Sequence, residues 1–183
     1  MNSLSVTIGI PAYNEGRHIG RMLASVLAQK EIGFKIRKII VISDGSTDDT
    51  DRRVKTFIDS RITLINDRKN KGQTTRQNQL MNLSTTDVLV FLDADEYFDN
   101  DFSLSKMIEE LKSGKNVALV GGNPVTIGDS FLARCLSVTR EAFTEIRYQI
   151  NTGHNIFGCM GGMLAISKKL YKQIRIPMDI SAN

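Results

Sequence analysis

Short apolar runs alternate with helical patterns through the first 120 residues of this 183-residue chain. Five runs have the length and composition of strands, at residues 4–10, 36–42, 61–65, 88–92 and 117–120. Four segments between them carry helical spacing or helix-start signals, at residues 19–27, from 46 onward, at 72–83 and at 104–111. Strands that alternate with helices in this way form parallel sheets, because each parallel crossover needs a helix-sized connection. The sequence therefore predicts an α/β fold with a mostly parallel sheet flanked by helices.

The bulk composition is that of a soluble globular protein, with 41% hydrophobic and 24% charged residues. No apolar stretch reaches the roughly 18 residues that a bilayer span needs. The N-terminus lacks the basic start and apolar core of an export signal. The two cysteines, Cys135 and Cys159, are too few for a disulfide framework and fit a reducing compartment. We therefore expect a cytoplasmic protein.

Charge is distributed in two blocks of opposite sign. Residues 52–79 carry eight Lys or Arg against Asp59 and Asp67, whereas residues 87–110 carry eight Asp or Glu against Lys106. A basic block beside an acidic block suits a site that handles an anion and a metal together, although solvated helix faces produce similar runs. Nucleic acid is not an expected partner, because aromatic residues are 7% and there is no Trp for base stacking.

Two carboxylates follow the fourth strand directly, in the run Asp93-Ala94-Asp95. Parallel sheets open their ligand crevice at the carboxyl ends of the strands. Residues two apart on an extended segment point to the same side, so Asp93 and Asp95 can share one divalent cation while Ala94 stays out of the way. Mg²⁺ or Mn²⁺ is often held by one or two carboxylates together with substrate phosphates. The alternative is that the pair ends the strand and caps the next helix.

Polar loops also follow the first two strands. Pro11 stops the first ladder, Tyr13 offers a stacking face, and Asn14 and Glu15 offer polar contacts, unless this is an ordinary strand-to-helix turn. After the second strand, Asp44 is a candidate acceptor for the imide N–H of a uracil, and Gly45 lets another group come close. The next residues, 46–49, are expected to cap a helix, with Ser46 or Thr47 at the N-cap.

A third constellation begins the predicted helix 72–83. Gly72 opens a helix whose free N–H groups favour phosphate, and Arg76 lies one turn further on. Asn70, Lys71 and Asn78 complete the group. The alternative is a solvated basic helix.

In this order, these segments resemble the family 2 glycosyltransferases of the GT-A fold. The resemblance is carried by residues 10–15, 41–50, 70–72 and 93–95, and more loosely by the glycine-rich residues 158–163. It implies transfer of a sugar from a nucleotide diphosphate donor, with UDP favoured, to an acceptor hydroxyl, usually with inversion. It implies that the nucleoside is held by Pro11, Tyr13, Glu15 and Asp44. Lys71, Gly72 and Arg76 would lie near the ribose or diphosphate, and the segment Asp93-Ala94-Asp95 would frame Mn²⁺ or Mg²⁺ on the diphosphate.

The alternation of strands and helices ends after Gly128, and this change divides the single domain, residues 1–183, into two halves. Residues 1–128 would bind the nucleotide sugar, and residues 129–183, with a predicted amphipathic helix at 131–150, would face the acceptor. The family's general base is an Asp, often the second residue of a Glu-Asp pair beyond the glycine-rich segment. Asn183 falls about where that Glu would come, so we expect the base just beyond a truncated C-terminus. Asp179 is the remaining carboxylate near that point of the sequence and is therefore the candidate base within it.

Two other functions remain open on the sequence. A sugar nucleotidyltransferase would need a Gly-rich, Arg-containing loop after the first strand, which residues 11–16 do not supply. A donor-binding module without catalysis is the second. The acceptor is expected to be a saccharide or a lipid-linked molecule. Basic residues in the last third are compatible with contact to the inner face of a membrane, or with a merely soluble basic surface. The C-terminal edge is expected to fray or to pair with another chain, as in a homo-oligomer.

Overall fold

The computed structural model of the protein describes residues 3–114, 117–123, 125, 138, 145–146 and 162–177. Asp179 and, apart from Val138, Glu145 and Ile146, the predicted helix 131–150 lie outside the described residues. Most of the glycine-rich segment lies outside them as well, and only Gly162 and Met163 of it are described.

Six strands form one mixed sheet in the order β3-β2-β1-β4-β6-β5. Their bounds are β1 Leu4–Ala12, β2 Phe34–Asp44, β3 Ile62–Asp67, β4 Val88–Leu92, β5 Leu119–Gly121 and β6 Met163–Ser167. The strands β1 to β4 pair in parallel, whereas β6 is antiparallel to both β4 and β5. The predicted α/β class with a mostly parallel sheet is confirmed. The sequence did not show that the end of the glycine-rich segment would become a central strand.

Five helices are described, and their bounds are α1 Ile19–Leu27, α2 Thr50–Val54, α3 Gln73–Leu83, α4 Ser103–Ser113 and α5 Lys168–Tyr171. The prediction that Ser46 or Thr47 caps α2 is wrong, since its N-cap is Asp49. The reason is that the loop before α2 is used elsewhere. Ser46 and Thr47 bond to Asn14 in the loop after β1, so the helix begins two or three residues later than its capping signals suggest.

Both faces of the sheet are buried, which explains why the strands read as continuous apolar runs. Val88, Val90 and Leu92 of β4 pack into the core cluster that includes residues of α1 and α4. Leu89 and Phe91 point to the opposite face, where the cluster includes residues of α3 and α5. This alternation is the period of two that an extended strand imposes. No helix within the described residues is long and apolar enough to cross a membrane.

The strand order places a crevice beside β1. The chain adds β2 and β3 on one side of β1 and then crosses to add β4 on the other. Gly9 pairs with Phe91, so Pro11 and Asp93 stand two residues further on at the carboxyl ends of their strands. Ligands of open α/β sheets bind at such a reversal of strand order, outside the carboxyl ends. The loops that the sequence marked as polar therefore meet where a ligand site is expected.

Candidate functional site

A cavity of about 370 Å³ opens at the carboxyl edge of the sheet. Its lining comes from four segments: Pro11, Ala12, Tyr13 and Glu15 after or at the end of β1, Asp44 at the end of β2, Asn70, Gly72, Gln73 and Arg76 at the start of α3, and Asp93, Ala94 and Asp95 after β4. Of the ten residues expected to bind the donor, Lys71 is the one that does not line the cavity. The structure thus brings together the three constellations and the carboxylate pair that the sequence singled out.

The loop after β1 is locked to the loop after β2. Asn14 adopts a left-handed backbone, with φ of 55°, and its Oδ1 accepts the N–H of Thr47 at 2.8 Å. The Asn14 N–H in turn donates to Ser46 Oγ at 3.1 Å, and the Glu15 N–H donates to Thr50 Oγ1 at 2.8 Å. These bonds leave the Tyr13 side chain 49% exposed at the mouth of the cavity. The loop after β1 therefore forms a wall of the cavity that is fixed to the loop after β2.

Asp44 anchors the start of α3. Its Oδ1 accepts the N–H of Lys71 and its Oδ2 accepts the N–H of Gly72, each at 2.8 Å. The predicted close approach at Gly45 is also present, because a Cβ there would lie 2.8 Å from the backbone nitrogen of Asn70. Asp44 therefore fixes the start of α3 against the end of β2, and the Gly72 N–H, which was expected to be free for phosphate, is occupied. The contact of Asp44 to a uracil imide stays a prediction.

Arg76 is buried, which excludes the alternative of a solvated basic side chain at this position. Its side chain is only 1% exposed. Nε donates to Asp44 Oδ1 at 2.6 Å and Nη2 donates to the carbonyl of Lys69 at 3.0 Å. Nη2 also lies 3.0 Å from Asp67 Oδ2, and Lys71 Nζ lies 2.8 Å from the same carboxylate oxygen.

This cluster of two cations and two carboxylates is close to neutral. The hydrogen bonds from Lys71 and then Arg76 lower the pKa of Asp67 well below its usual range, so Asp67 stays ionised. The positive charge of Arg76 and Lys71 is thus largely compensated within the protein. The expected contact of these two residues with a ribose or diphosphate stays a prediction. The cluster by itself has no excess positive charge that would attract a phosphate.

The carboxylate pair lies on a turn, so the premise of an extended segment was wrong. The Glu96 N–H donates to the Asp93 carbonyl at 3.1 Å and closes the turn. Ala94 is buried, Asp93 is half-buried and Asp95 is exposed. The next helix, α4, begins only at Ser103, which rules out the alternative that the pair caps it. Both carboxylates nevertheless line the same cavity.

Two contacts hold the turn in place. The Asp93 N–H donates to the carbonyl of Gly162 at 2.8 Å, at the start of β6. Gln73 Nε2 donates to Asp93 Oδ1 at 3.0 Å from the first residue of α3. A Cβ on Gly162 would overlap the Glu96 carboxylate, so the Glu96 side chain would have to move to admit one. The described end of the glycine-rich segment therefore packs directly against the carboxylate turn.

The cavity end formed by this turn is strongly acidic. Burial, followed by the nearby charges of Glu96 and Asp95, raises the pKa of Asp93 to about 7, although the Gln73 hydrogen bond opposes the shift. Burial and the charge of Asp95 likewise raise the pKa of Glu15. These shifts show that adjacent carboxylates are costly to ionise here without a cation. A divalent ion would remove that cost, so the residues present fit one.

The carboxylates do not by themselves form a complete metal cage. Among the residues that the structure describes, no group of three or more His, Cys, Asp or Glu side chains is placed to hold a metal. Asp93 and Asp95 are thus an incomplete set of oxygen ligands. Two carboxylates with the remaining positions supplied by substrate phosphates and water are an ordinary arrangement for Mg²⁺.

Sequence reasoning missed Ala12 and Gln73 and placed Asn78 in the wrong group. The sequence could have indicated Gln73 as a lining residue, because it directly follows Gly72 in the first turn of α3. Asn78 does not line the cavity. Its side chain instead bonds to the backbone of Ile176, because a residue two positions after Arg76 points to a different side of the helix.

Comparisons with known proteins identify the family of this chain. The family model for glycosyl transferase family 2 matches residues 7–175. The poly-beta-1,6-N-acetyl-D-glucosamine synthase of Staphylococcus aureus is 32% identical over 120 residues, which cover 65% of this chain and 28% of the synthase. Glycosyltransferase GlyA of Streptococcus pneumoniae is 30% identical over 112 residues, which cover 59% of this chain and 16% of that protein. The chain thus spans about a quarter or less of the length of these relatives.

Solved structures show the same fold. The mannosyltransferase PcManGT from Pyrobaculum calidifontis, in complex with GDP-Man and Mn²⁺, matches 100% of this chain and 50% of its own, with a TM-score of 0.77 and 20% identity. TarS 1–349 of S. aureus matches 98% of this chain and 52% of its own, with a TM-score of 0.69 and 16% identity. The GT-A fold is thereby confirmed, and a sugar nucleotidyltransferase is not favoured. On the family match over residues 7–175, this chain belongs to glycosyl transferase family 2.

Proposed function

We propose that this chain is the donor-binding part of a metal-dependent, inverting glycosyltransferase that uses a UDP-sugar. The observation that carries the proposal is the cavity itself, in which an aromatic ring, a buried Asp and a pair of carboxylates converge from different segments. A nucleotide diphosphate offers a base, a ribose and two phosphates in that order. The cavity offers groups suited to each end of such a molecule.

The nucleoside end is assigned to the loops after β1 and β2. The exposed ring of Tyr13 is available for stacking at the cavity mouth. Pro11 and Glu15 line the wall next to it, and Asp44 lines the inner side. Oδ2 of Asp44 accepts the Gly72 N–H, and a carboxylate oxygen has a second lone pair that can accept a base imide. A solved relative, the glucosyl-3-phosphoglycerate synthase of Mycobacterium tuberculosis, is in complex with UDP, which supports uracil.

The diphosphate end is assigned to the carboxylate turn. Asp93 and Asp95 would hold Mn²⁺ or Mg²⁺, and Gln73 keeps Asp93 in position through its hydrogen bond. When bound, the cation would neutralise the negative charge that develops on the departing diphosphate. The acidic turn could not do this alone, because its own charge repels phosphate. The proposal therefore couples donor binding to the cation.

Inversion requires a general base on the side of the anomeric carbon opposite the leaving group. By the family resemblance this base is an Asp that follows the glycine-rich segment, and Asp179 stays a prediction outside the described residues. The similarity to a poly-N-acetylglucosamine synthase supports a hexosyl or N-acetylhexosaminyl donor and a saccharide acceptor. The division into halves, the cytoplasmic location, the membrane contact and the homo-oligomer stay predictions as well.

Calorimetric titration with UDP tests the proposal. We expect the wild type to bind UDP with Mn²⁺ present and much more weakly with chelator. Asp95→Asn should lose the Mn²⁺-dependent part of the affinity, whereas Asp101→Asn, the same charge change at an exposed residue outside the cavity, should bind as the wild type does. Unchanged UDP–Mn²⁺ affinity in Asp95→Asn would refute the metal site.

The base preference needs a separate titration. UDP should bind more tightly than CDP, because cytosine lacks the imide N–H that Asp44 would accept. Equal affinities would exclude that role for Asp44. Release of UDP from a UDP-sugar in the presence of a saccharide acceptor would then separate an enzyme from a module that only binds the donor.

A further inference from the structure

The hydrogen-bonded ladder between β1 and β2 ends at the donor cavity. Its last pair is Ala12 and Ser43, and the residues that follow them, Tyr13 and Asp44, both line the cavity. Asp44 is still held in the sheet, because it pairs with Asp67 of β3. Tyr13 lies one residue beyond the end of β1. The position of its ring relative to the Asp44 carboxylate is therefore set by contacts of the loop after β1.

Asn14 has the most unusual backbone of that loop. Its φ is 55°, and among the described residues it is the one non-glycine residue with a positive φ. Side chains with a Cβ keep this conformation only where surrounding contacts hold it. Asparagine adopts it more readily than most residues, because its short polar side chain can bond to nearby backbone. The course of the chain directly after Tyr13 thus depends on the bonds that Asn14 makes.

Those bonds cross to the loop after β2 in both directions. Asn14 Oδ1 accepts the Thr47 N–H at 2.8 Å, and the Asn14 N–H donates to Ser46 Oγ at 3.1 Å. Ser46 Oγ in turn lies 3.0 Å from Oγ of Ser43, a fully buried residue of β2. Asn14 therefore ties the backbone next to the Tyr13 ring to a segment that is anchored in the sheet.

The two residues after Asn14 are attached to the same loop through their backbones. The Glu15 N–H donates to Thr50 Oγ1 at 2.8 Å, and the Gly16 N–H donates to Asp48 Oδ2 at 2.9 Å. These two bonds do not involve the Asn14 side chain, so they can persist when it is removed. Loss of the Asn14 amide should therefore release the backbone at Tyr13 and leave the rest of the loop attached.

We propose that Asn14 is a positioning residue for the nucleoside, which holds the Tyr13 ring at the distance from Asp44 that a uracil requires. The proposal rests on the proposed function, in which these two side chains contact the base. Stacking accepts any base, whereas a hydrogen bond to an imide needs a defined distance and angle. A ring that is fixed in advance aligns the base with the carboxylate and avoids the cost of ordering the loop on binding. Asn14 thus contributes to UDP affinity and to selection against CDP.

The test uses three variants of the full chain. Asn14→Gly accepts the positive φ without strain and removes the side-chain acceptor. Asn14→Asp keeps an oxygen that can accept the Thr47 N–H and is the rescue variant. Asn82→Gly makes the same truncation at an exposed position of α3 outside the cavity and controls for a general loss of stability.

Each variant is titrated with UDP, CDP and inorganic pyrophosphate, all with Mn²⁺ present. We expect Asn14→Gly to bind UDP on the order of 10-fold more weakly, because one or two side chains must then be ordered on binding. CDP should lose less affinity, so the preference for UDP should fall. Pyrophosphate has no base, and its affinity should not change. Asn14→Asp should restore most of the UDP affinity, and Asn82→Gly should bind all three ligands as the wild type does.

A second variant covers the case in which Asn14→Gly does not fold. Ser46→Ala removes the acceptor of the Asn14 N–H and leaves the Asn14 side chain in place. It should lower UDP affinity and the preference for UDP in the same direction, again with pyrophosphate affinity unchanged.

Three outcomes would overturn the inference and leave the proposed function intact. Wild-type affinity for UDP in folded Asn14→Gly would show that the ring needs no such anchor. An equal loss of UDP and pyrophosphate affinity would show that Asn14 only supports the cavity as a whole. UDP binding by Asn14→Asp as weak as that by Asn14→Gly would show that the accepted bond is not the cause. Equal binding of UDP and CDP by the wild type would instead overturn the proposed reading of the base and this inference together.

Discussion

Arg76 Nε donates a 2.6 Å hydrogen bond to Asp44 Oδ1, and the two side chains are among the most buried charged groups described in the protein. The contact joins the last residue of β2 to the first turns of α3, 32 positions along the chain. The same Asp44 carboxylate also holds the N–H groups of Lys71 and Gly72. This ion pair therefore fixes one wall of the cavity, and its charges are satisfied within the protein.

Replacement of Arg76 should destabilise the fold strongly. Arg76→Met leaves Asp44 buried without its cation, and loss of one partner of a buried pair costs about 3–5 kcal/mol. Lys71→Met is the control, because it removes a cation from the same cluster where its side chain is half exposed, and such pairs contribute about 0–1 kcal/mol. Urea denaturation of both variants measures the free energies of unfolding. Equal, small losses in the two variants would show that the buried pair does not hold the cavity wall.

Stability without metal should depend on the ionisation of Asp93. Its pKa is raised to about 7 in the folded protein from an ordinary value of 3.8. Between these two values the folded state binds a proton that the unfolded state has lost, so this group destabilises the fold progressively as the pH rises from about 4 to about 7. Above pH of about 7 the ionised Asp93 destabilises the folded state by its full amount, and stability no longer changes through this group.

Asp93→Asn isolates this effect, since the amide carries no charge at any pH in the range. The melting temperature of the wild type, measured with chelator, should fall relative to that of Asp93→Asn as the pH is raised from 5 to 8. Saturating UDP and Mn²⁺ should raise the melting temperature of the wild type at pH 8 and should not raise that of the variant. Melting curves that shift in parallel for the two proteins across this range would contradict the assigned pKa.

Gly45 should not tolerate a side chain. Its φ is 76° and a Cβ would lie 2.8 Å from the Asn70 backbone nitrogen, so Gly45→Ala meets both a left-handed strain of roughly 1–2 kcal/mol and a backbone clash. We expect lower stability and weaker UDP binding, because Asn70 lines the cavity.

Gly20→Ala is the matched control for that substitution. Gly20 lies within α1 with no atom within 4 Å of a Cβ, and the gain in helix propensity should stabilise by up to about 1 kcal/mol. Thermal denaturation and UDP titration of both variants measure the contrast. A neutral Gly45→Ala would mean that residues 68–70 move aside without consequence for the site.

Local sequence patterns were sufficient to predict most of the helices and strands and most of the residues that line the cavity. The run Val88–Leu92 is a buried strand because its residues are apolar on both faces, and this can be read without knowledge of its neighbours. Since parallel strands present their carboxyl ends at one edge, the polar residues after β1, β2 and β4 had to lie near one another. That reasoning placed Pro11, Asp44 and Asp93 in one cavity correctly.

Contacts between distant residues decided the rest. Whether Arg76 is solvated or buried depends on Asp44 and Asp67, and no local pattern encodes that pairing. The same holds for Asn14, whose bonds to the loop after β2 delayed the start of α2, and for Asn78, whose partner lies 98 residues away. The antiparallel insertion of β6 between β4 and β5 also depends on contacts between distant residues.

Apolar periodicity depends only on residues that are neighbours in the sequence, so it can be recognised without the tertiary structure. The partner of a polar side chain is set by which segments the folded sheet brings together, because a buried polar group is stable only where it finds one.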